Sequence, residues 1–338
     1  MGSSASSAKT VSPEFQAEFR ARADGNGAMT FAAFMELALY HPRLGYYRRA
    51  GRRVGYGAGT DFFTASTSGP IFGELVAAAC ATLLGERELG EYTFVEIGAE
   101  PERGGPGGPS GGVLAGVRHG FGAVRTVRLG EPIELSGRCV VFSNELFDAQ
   151  PFSRFVFRGG EWHELGVALR AGELTEVVVG RACEGRLPTE VAEGYVFDAP
   201  LAAEALARKI AGERWTGLFV ACDYGKSWRE LAEATPAGTA RAYFRHAQSN
   251  DLLARPGEQD LTCHVCWDWL SVALEEGGFR EVGVETQEAF FVRHAGDFIA
   301  ATTAVEAARL SQRKLALMQL LHPAHLGQKF QVLHAVRG

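Results

Sequence analysis

The run Val140-Val141-Phe142-Ser143-Asn144-Glu145-Leu146-Phe147-Asp148-Ala149-Gln150-Pro151 constrains the fold more than any other part of the chain. Three apolar residues lead into an amide and two carboxylates, and Pro151 ends the segment. A short apolar run bounded by turn formers reads as a strand buried on both faces. Polar groups at the carboxyl end of such a strand sit where open α/β sheets bind ligands. A second reading of the same residues is a turn that caps a following helix, since Asn and Asp accept hydrogen bonds from free backbone N–H groups.

Two other segments repeat the pattern. Thr93-Phe94-Val95-Glu96-Ile97-Gly98 is an apolar strand ending in Gly, and Leu218-Phe219-Val220-Ala221-Cys222-Asp223-Tyr224-Gly225 ends in an acid and a Gly. In a parallel sheet, Glu96/Gly98, Asn144/Glu145/Asp148 and Asp223/Gly225 converge on one edge. Helical periodicity fills the spaces between. Thr30 stands before Phe31, Phe34, Met35, Ala38 and Leu39, and Gly69-Pro70 opens a helix with Ile71, Phe72, Leu75 and Val76. Further helices are expected over Leu201–Ile210, Trp267–Glu276 and Asp297–Leu320, with a short one near Val113–Val117. Strands are expected at 124–129, 282–284 and 329–336. Residues 152–157 and 162–169 read as a hairpin joined by Arg158-Gly159-Gly160-Glu161, with a third strand at 174–179. Strands alternating with helices indicate an α/β sheet, interrupted by an insertion at about 152–195. Pro101 to Gly112, rich in Gly and Pro, reads as a flexible loop.

With 338 residues, one large domain or a core with a sizeable insert is expected. The net charge of −6 comes with no basic stripe, which disfavours a nucleic-acid partner. No apolar run reaches the ~18 residues of a membrane span. Met1 to Ser12 reads as a disordered tail without the apolar core of a secretory signal, so a cytoplasmic location is the default. Cys263-x-x-Cys266 lacks a second ligand pair, so no metal is expected there. The chain has no G-x-G-x-x-G or P-loop sequence, which disfavours a nicotinamide dinucleotide site and a nucleoside-triphosphate site. Glu96 beside a Gly turn suits a nucleoside-type ligand. Asp260 and His264 could form an acid/base pair, or Thr262 could cap the next helix.

These segments, taken in order, resemble the MidA family of S-adenosylmethionine-dependent methyltransferases. The matching stretches are His41-Pro42-Arg43-Leu44-Gly45-Tyr46-Tyr47, Asp61-Phe62-Phe63-Thr64, Phe72-Gly73-Glu74 and Phe94-Val95-Glu96-Ile97-Gly98. They continue with Asn144 to Pro151, Asp223-Tyr224-Gly225, Arg241-Ala242-Tyr243, Asp260-Leu261-Thr262-Cys263-His264-Val265, and Leu326 to Leu333. The resemblance implies a Rossmann-like seven-stranded methyltransferase sheet with an N-terminal helical extension and an inserted β-rich subdomain. The corresponding division is a tail at 1–12, a helical region at 13–90 and the core at 91–338. It implies S-adenosylmethionine as cofactor, with Asp61, Phe62, Thr64, Gly73, Glu96 and Gly98 in or near its site. It places Asn144, Glu145 and Asp148 facing the transferred methyl group and His264 in the catalytic set. The family's glycine motif, E-L-G-x-G-x-G, reads Glu96-Ile97-Gly98-Ala99-Glu100-Pro101 here, and Glu131 is the nearest acid for a cofactor ribose.

The family's mitochondrial members are arginine methyltransferases that help assemble respiratory complex I. The expected function is therefore methyl transfer to a protein side chain, with arginine foremost. The alternative is a catalytically inactive relative that binds a protein partner as an assembly factor. Both readings imply a protein substrate or partner.

Overall fold

The computed structural model describes residues 11–49, 68–99, 111–182, 185–307 and 311–338. The expected tail lies largely outside these residues, as does most of the Gly/Pro-rich segment. By its internal contacts the chain groups into two units. One comprises residues 63–148, 203–225 and 265–338; the other comprises 1–62, 149–202 and 226–264.

The first unit is built on a six-stranded sheet. Its strands are β1 (Thr93–Ile97), β2 (Ala123–Val127), β3 (Ser136–Asn144), β4 (Arg214–Asp223), β5 (Arg280–Thr286) and β6 (Gln331–Arg337). Their order is β5-β6-β4-β3-β1-β2. β2, β1, β3 and β4 are parallel, with Glu96 opposite Phe142 and Asn144 opposite Cys222. β6 runs antiparallel to β4 and β5. The α/β frame agrees with the expectation, but the described residues hold six strands of this sheet rather than seven. Only residues 128–135 separate Val127 from Ser136, and a further helix and strand do not fit in that length.

Apolar side chains of the central strands alternate between two cores, because successive residues of a strand point to opposite faces. Phe94, Val140, Phe142, Leu218, Val220 and Val332 enter one cluster. Val95, Val141, Phe219, Ala221 and Leu333 enter the other. Helices α1 (Pro70–Leu84), α2 (Leu201–Gly212), α3 (Trp267–Glu276), α4 (Gln287–His294), α5 (Gly296–Val305) and α6 (Gln312–Leu321) cover the faces. α1, α4 and α6 contribute Leu75, Phe291 and Leu320 to the first cluster. α2 and α3 contribute Ala207, Ile210 and Leu270 to the second. The single helix expected over 297–320 is two, because Ser311 accepts a hydrogen bond from Lys314 N and starts α6 afresh. Residues 112–116 form turns rather than a helix.

In the second unit, Thr30 caps the helix Phe31–Tyr40 by accepting from Ala33 N. The expected hairpin is present as strands Ser153–Arg158 and Glu161–Arg170, and Glu173–Arg181 adds to the second of them. Ala28–Thr30 and Val196–Ala199 complete this antiparallel sheet. Phe31 stacks on Phe152 at 5.0 Å and lies in a core with Phe15, Phe34 and Leu261.

Phe142 is fully buried between β1 and β4 and packs on Phe94 and Phe72. Phe142→Ala is expected to lower stability by about 3–5 kcal/mol, measured by urea unfolding; a loss below about 1 kcal/mol would show that this face of the sheet is not close-packed.

Candidate active site

The carboxyl edge of the parallel strands is organised by one buried acid. Asp223, the last residue of β4, is fully buried. Its Oδ2 accepts from the backbone N–H groups of Leu146 (3.1 Å), Phe147 (2.8 Å) and Asp148 (3.4 Å). Its Oδ1 accepts from Tyr224 N at 2.8 Å. These bonds draw the chain after β3 into a turn around a single carboxylate. Burial pushes the Asp223 carboxyl up to about 6, against the four N–H groups that favour its charged form.

The turn starts with strain. Glu145 has φ 52°, the left-handed region that non-glycine residues occupy at a cost of roughly 1–2 kcal/mol. It is held there from both sides: its N–H donates to Cys222 O at 2.9 Å, and its Oε1 accepts from Asn144 Nδ2 at 3.0 Å. Oδ1 of Asn144 and Oγ of Ser143 are buried without a hydrogen-bond partner among the described residues. Asp148 is 4% exposed, and Phe147 fills the core beneath the turn. Asn144 and Glu145 therefore pair at the start of the turn in which the Asp148 N–H also takes part.

The β1 end is shaped by the loss of side chains. Gly98 has φ 82°, and its N–H donates to Val127 O. A Cβ there would lie 3.0 Å from Leu146 Cδ1, so the turn after β1 packs directly on the turn after β3. Glu96 Oε2 accepts from Val113 N at 2.6 Å. A Cβ on Gly73 would lie 2.0 Å from Val113 O, so helix α1 can meet that segment only with glycine here. Glu96 and Gly73 thus brace the same stretch of chain. Glu131 sits in the turn after β2, where its Oε2 accepts from Arg128 N. Asp61, Phe62 and Thr64 lie outside the described residues. Gln331, not singled out in the sequence, accepts from Gly225 N and ties the start of β6 to the end of β4.

Asn144 Oδ1 and Ser143 Oγ, two buried acceptors with unused capacity beside the Gly98 turn, suit the hydroxyl and amino groups of a nucleoside. The edge therefore fits S-adenosylmethionine, whose reactive methyl is carried on its own sulfonium. The nearby thiols are inert structural groups: burial pushes Cys80 up to about 12 and Cys222 well above the ordinary range.

His264 belongs to the other unit. Its backbone N donates to Thr239 Oγ1, and its buried Nδ1 has no partner among the described residues. Burial, then Lys226 and Arg241, push the imidazole down to about 4, against Asp198 and Glu230. Asp260 is committed elsewhere: its Oδ1 accepts from Tyr47 Oη and from Leu261 N. Thr262 lies on a strand, and the residue before α3 is Cys266, so Thr262 does not cap that helix. Cys263 and Cys266 are buried.

The two buried groups titrate with opposite signs. Asp223 has a raised folded pKa, about 6 against 3.8, so its contribution to stability is full below pH 3.8 and lost as pH rises through 6. Asp223→Asn places an amide N–H against backbone donors and should cost about 2 kcal/mol or more. In urea unfolding at pH 4, 5, 6 and 7, the gap between wild type and this variant should narrow with rising pH; a widening gap would reverse the assignment. His264 has a lowered folded pKa, about 4 against 6.5, so its contribution is full above pH 6.5 and lost as pH falls toward 4. An NMR titration of its ring should give a midpoint near 4, and an ordinary midpoint near 6.5 would show an open, solvated imidazole.

A family model described as a "Putative S-adenosyl-L-methionine-dependent methyltransferase" matches residues 126–285, which include β3, β4 and the turn on Asp223. The mitochondrial protein arginine methyltransferase NDUFAF7 of Danio rerio is 27% identical over 304 residues, covering 72% of this chain and 68% of that protein. A crystal structure of a methyltransferase-like protein from Burkholderia thailandensis, bound to S-adenosyl-homocysteine, superposes with a TM-score of 0.80 at 25% identity, covering 98% of this chain and 95% of that one. A native structure of a protein from the same organism gives 0.79 at 23% identity over the same shares, and shows the same fold. In sequence and in fold the chain is thus similar to S-adenosylmethionine-dependent methyltransferases of the MidA-like family.

Proposed function

We propose that this methyltransferase modifies arginine side chains of a protein, and that the turn Asn144–Asp148 holds the guanidinium. The observation that carries this reading is Glu145, held in a left-handed conformation at the end of β3 with its carboxylate fixed by Asn144. Backbone strain persists where the surroundings over-determine it, and such positions cluster at functional sites. The relative from Danio rerio is itself named as a protein arginine methyltransferase.

The chemistry suits these residues. The cofactor supplies an activated methyl, so the chain has to bind, orient and neutralise charge. A guanidinium is planar, permanently charged and rich in donors, and carboxylates grip it with paired N–H···O bonds. Glu145 and Asp148 supply the two carboxylates. Once the guanidinium nitrogen is alkylated it must lose a proton, and Glu145 is the acceptor we assign. Gly98 and the segment braced by Glu96 and Gly73 line the cofactor side, with Asp61, Phe62 and Thr64 assigned to the same side by family resemblance.

No helix among the described residues is long and apolar enough to cross a membrane. We keep the cytoplasm as the expected location, which fractionation of the tagged protein tests; the Danio rerio relative is a mitochondrial protein.

Glu145→Gln and Asp148→Asn should each lower kcat/KM for an arginine acceptor by about 100-fold or more, with S-adenosylhomocysteine affinity unchanged in calorimetric titration. If both variants kept full transfer activity, the carboxylate assignment would be wrong. Loss of cofactor binding by the wild-type chain at millimolar concentration would leave only the partner-binding alternative. Glu145→Gly relieves the left-handed strain and should raise stability by about 1 kcal/mol while lowering activity; a destabilised variant would show that the conformation carries no strain.

A further inference from the structure

We propose that Glu285, His294 and His334 form a binding site for a divalent transition metal of the zinc class. The three lie in the first unit, on the edge strand β5, the last turn of α4 and the adjacent strand β6. His294 Nε2 and His334 Nε2 each lie 3.2 Å from the same oxygen, Glu285 Oε1. The three ligand atoms are within 4.8 Å of one another.

These separations match what a metal asks for. Zn–N and Zn–O bonds of about 2.0–2.1 Å in a tetrahedron put neighbouring ligand atoms ~3.3 Å apart. Two imidazole nitrogens and one carboxylate oxygen are a ligand set that zinc takes while leaving a fourth position for water. The ligands are held rather than loose: their side chains are 11%, 14% and 12% exposed for Glu285, His294 and His334. Phe290 packs against both rings, at 5.0 Å from His294 and 5.6 Å from His334. Arg293 pairs with the other carboxylate oxygen, Oε2, at 2.6 Å, and so fixes which oxygen faces the imidazoles. Gly283 is the cross-strand partner of His334, and a Cβ there would lie 2.8 Å from His334 Nε2. Glycine at 283 thus leaves open the space in front of the nitrogen that would bind.

Nothing in the transfer chemistry uses these residues. A metal here would tie β5 to β6 and to α4, which fits a structural role at the exposed edge of the sheet. No short-spaced motif marks these ligands, which are spread over residues 285, 294 and 334.

The test uses the whole protein, freed of metal by chelation and gel filtration. Titration with ZnCl2 should show one site of micromolar or tighter affinity, and thermal unfolding should shift upward by several degrees with Zn2+ present. Substitution with Co2+ should give the intense visible bands of a four-coordinate site with nitrogen and oxygen ligands. His294→Ala, His334→Ala and the isosteric Glu285→Gln should each weaken binding at least tenfold. Gly283→Ala, which keeps every ligand, should also weaken it. Cys263→Ser/Cys266→Ser should leave binding unchanged. The proposal is overturned if the wild-type protein takes up no Zn2+ or Co2+, if Co2+ shows the sulfur charge-transfer bands of a thiolate site, or if the folded Glu285→Gln protein binds as tightly as wild type.

Discussion

The Asp223 carboxylate is the constraint on which the site depends. A charge at the end of a buried strand is costly unless hydrogen bonds satisfy it, and here four backbone N–H groups do so. Three of the four come from Leu146, Phe147 and Asp148, which follow directly on the end of β3. The acid and the turn therefore solve each other's problem. The chain must bend sharply to bring three consecutive N–H groups to one oxygen, and the bend falls on Glu145, in the left-handed region. The left-handed conformation of Glu145 is thus enforced by the buried acid beside it.

The sheet makes this arrangement stiff. Both faces of β3 and β4 are packed, with alternate residues entering two separate cores. A strand buried in this way cannot slip its register without exposing one set of side chains and burying the other. Asn144 is therefore kept opposite Cys222, one residue before Asp223, and the polar turn is delivered to the same place each time. Phe147 adds a peg from the turn into the core. Precision at the edge thus comes from apolar packing several residues away, which is how a methyltransferase can align a nucleophile with few polar contacts.

Much of this was readable from residue order. The apolar runs ending at Gly98, Asn144 and Asp223 predicted parallel strands with a polar edge, because only doubly covered strands tolerate such uninterrupted hydrophobicity. The hairpin at Arg158–Glu161 and the helix ending at Gly277-Gly278 followed from their turn residues. Other features were not legible, for identifiable reasons. The role of Asp223 as an anchor depends on residues 75 to 77 positions away, and no local pattern encodes that. The split between α5 and α6 rests on a cap by Ser311 within a segment whose apolar periodicity reads as continuous. Asp260 and His264 could be read as an acid/base pair or Thr262 as a helix cap, and the hydrogen bond from Tyr47 to Asp260 lies 213 positions apart in sequence, beyond any local pattern. The close approach of α1 to Val113 at Gly73 depends on a residue 40 positions away and is not legible locally. That the described residues hold six strands of this sheet rather than seven follows from the short distance between β2 and β3.

The central claim is that the turn anchored by Asp223 presents an arginine to a methyl donor. The most direct measurement is incubation of the protein with methyl-labelled S-adenosylmethionine and a cell extract, followed by acid hydrolysis of the acceptor proteins and amino-acid analysis. The account predicts label in methylated arginine, and none when Glu145→Gln protein is used. Label confined to another residue type, or no label from a protein that binds the cofactor, would contradict it.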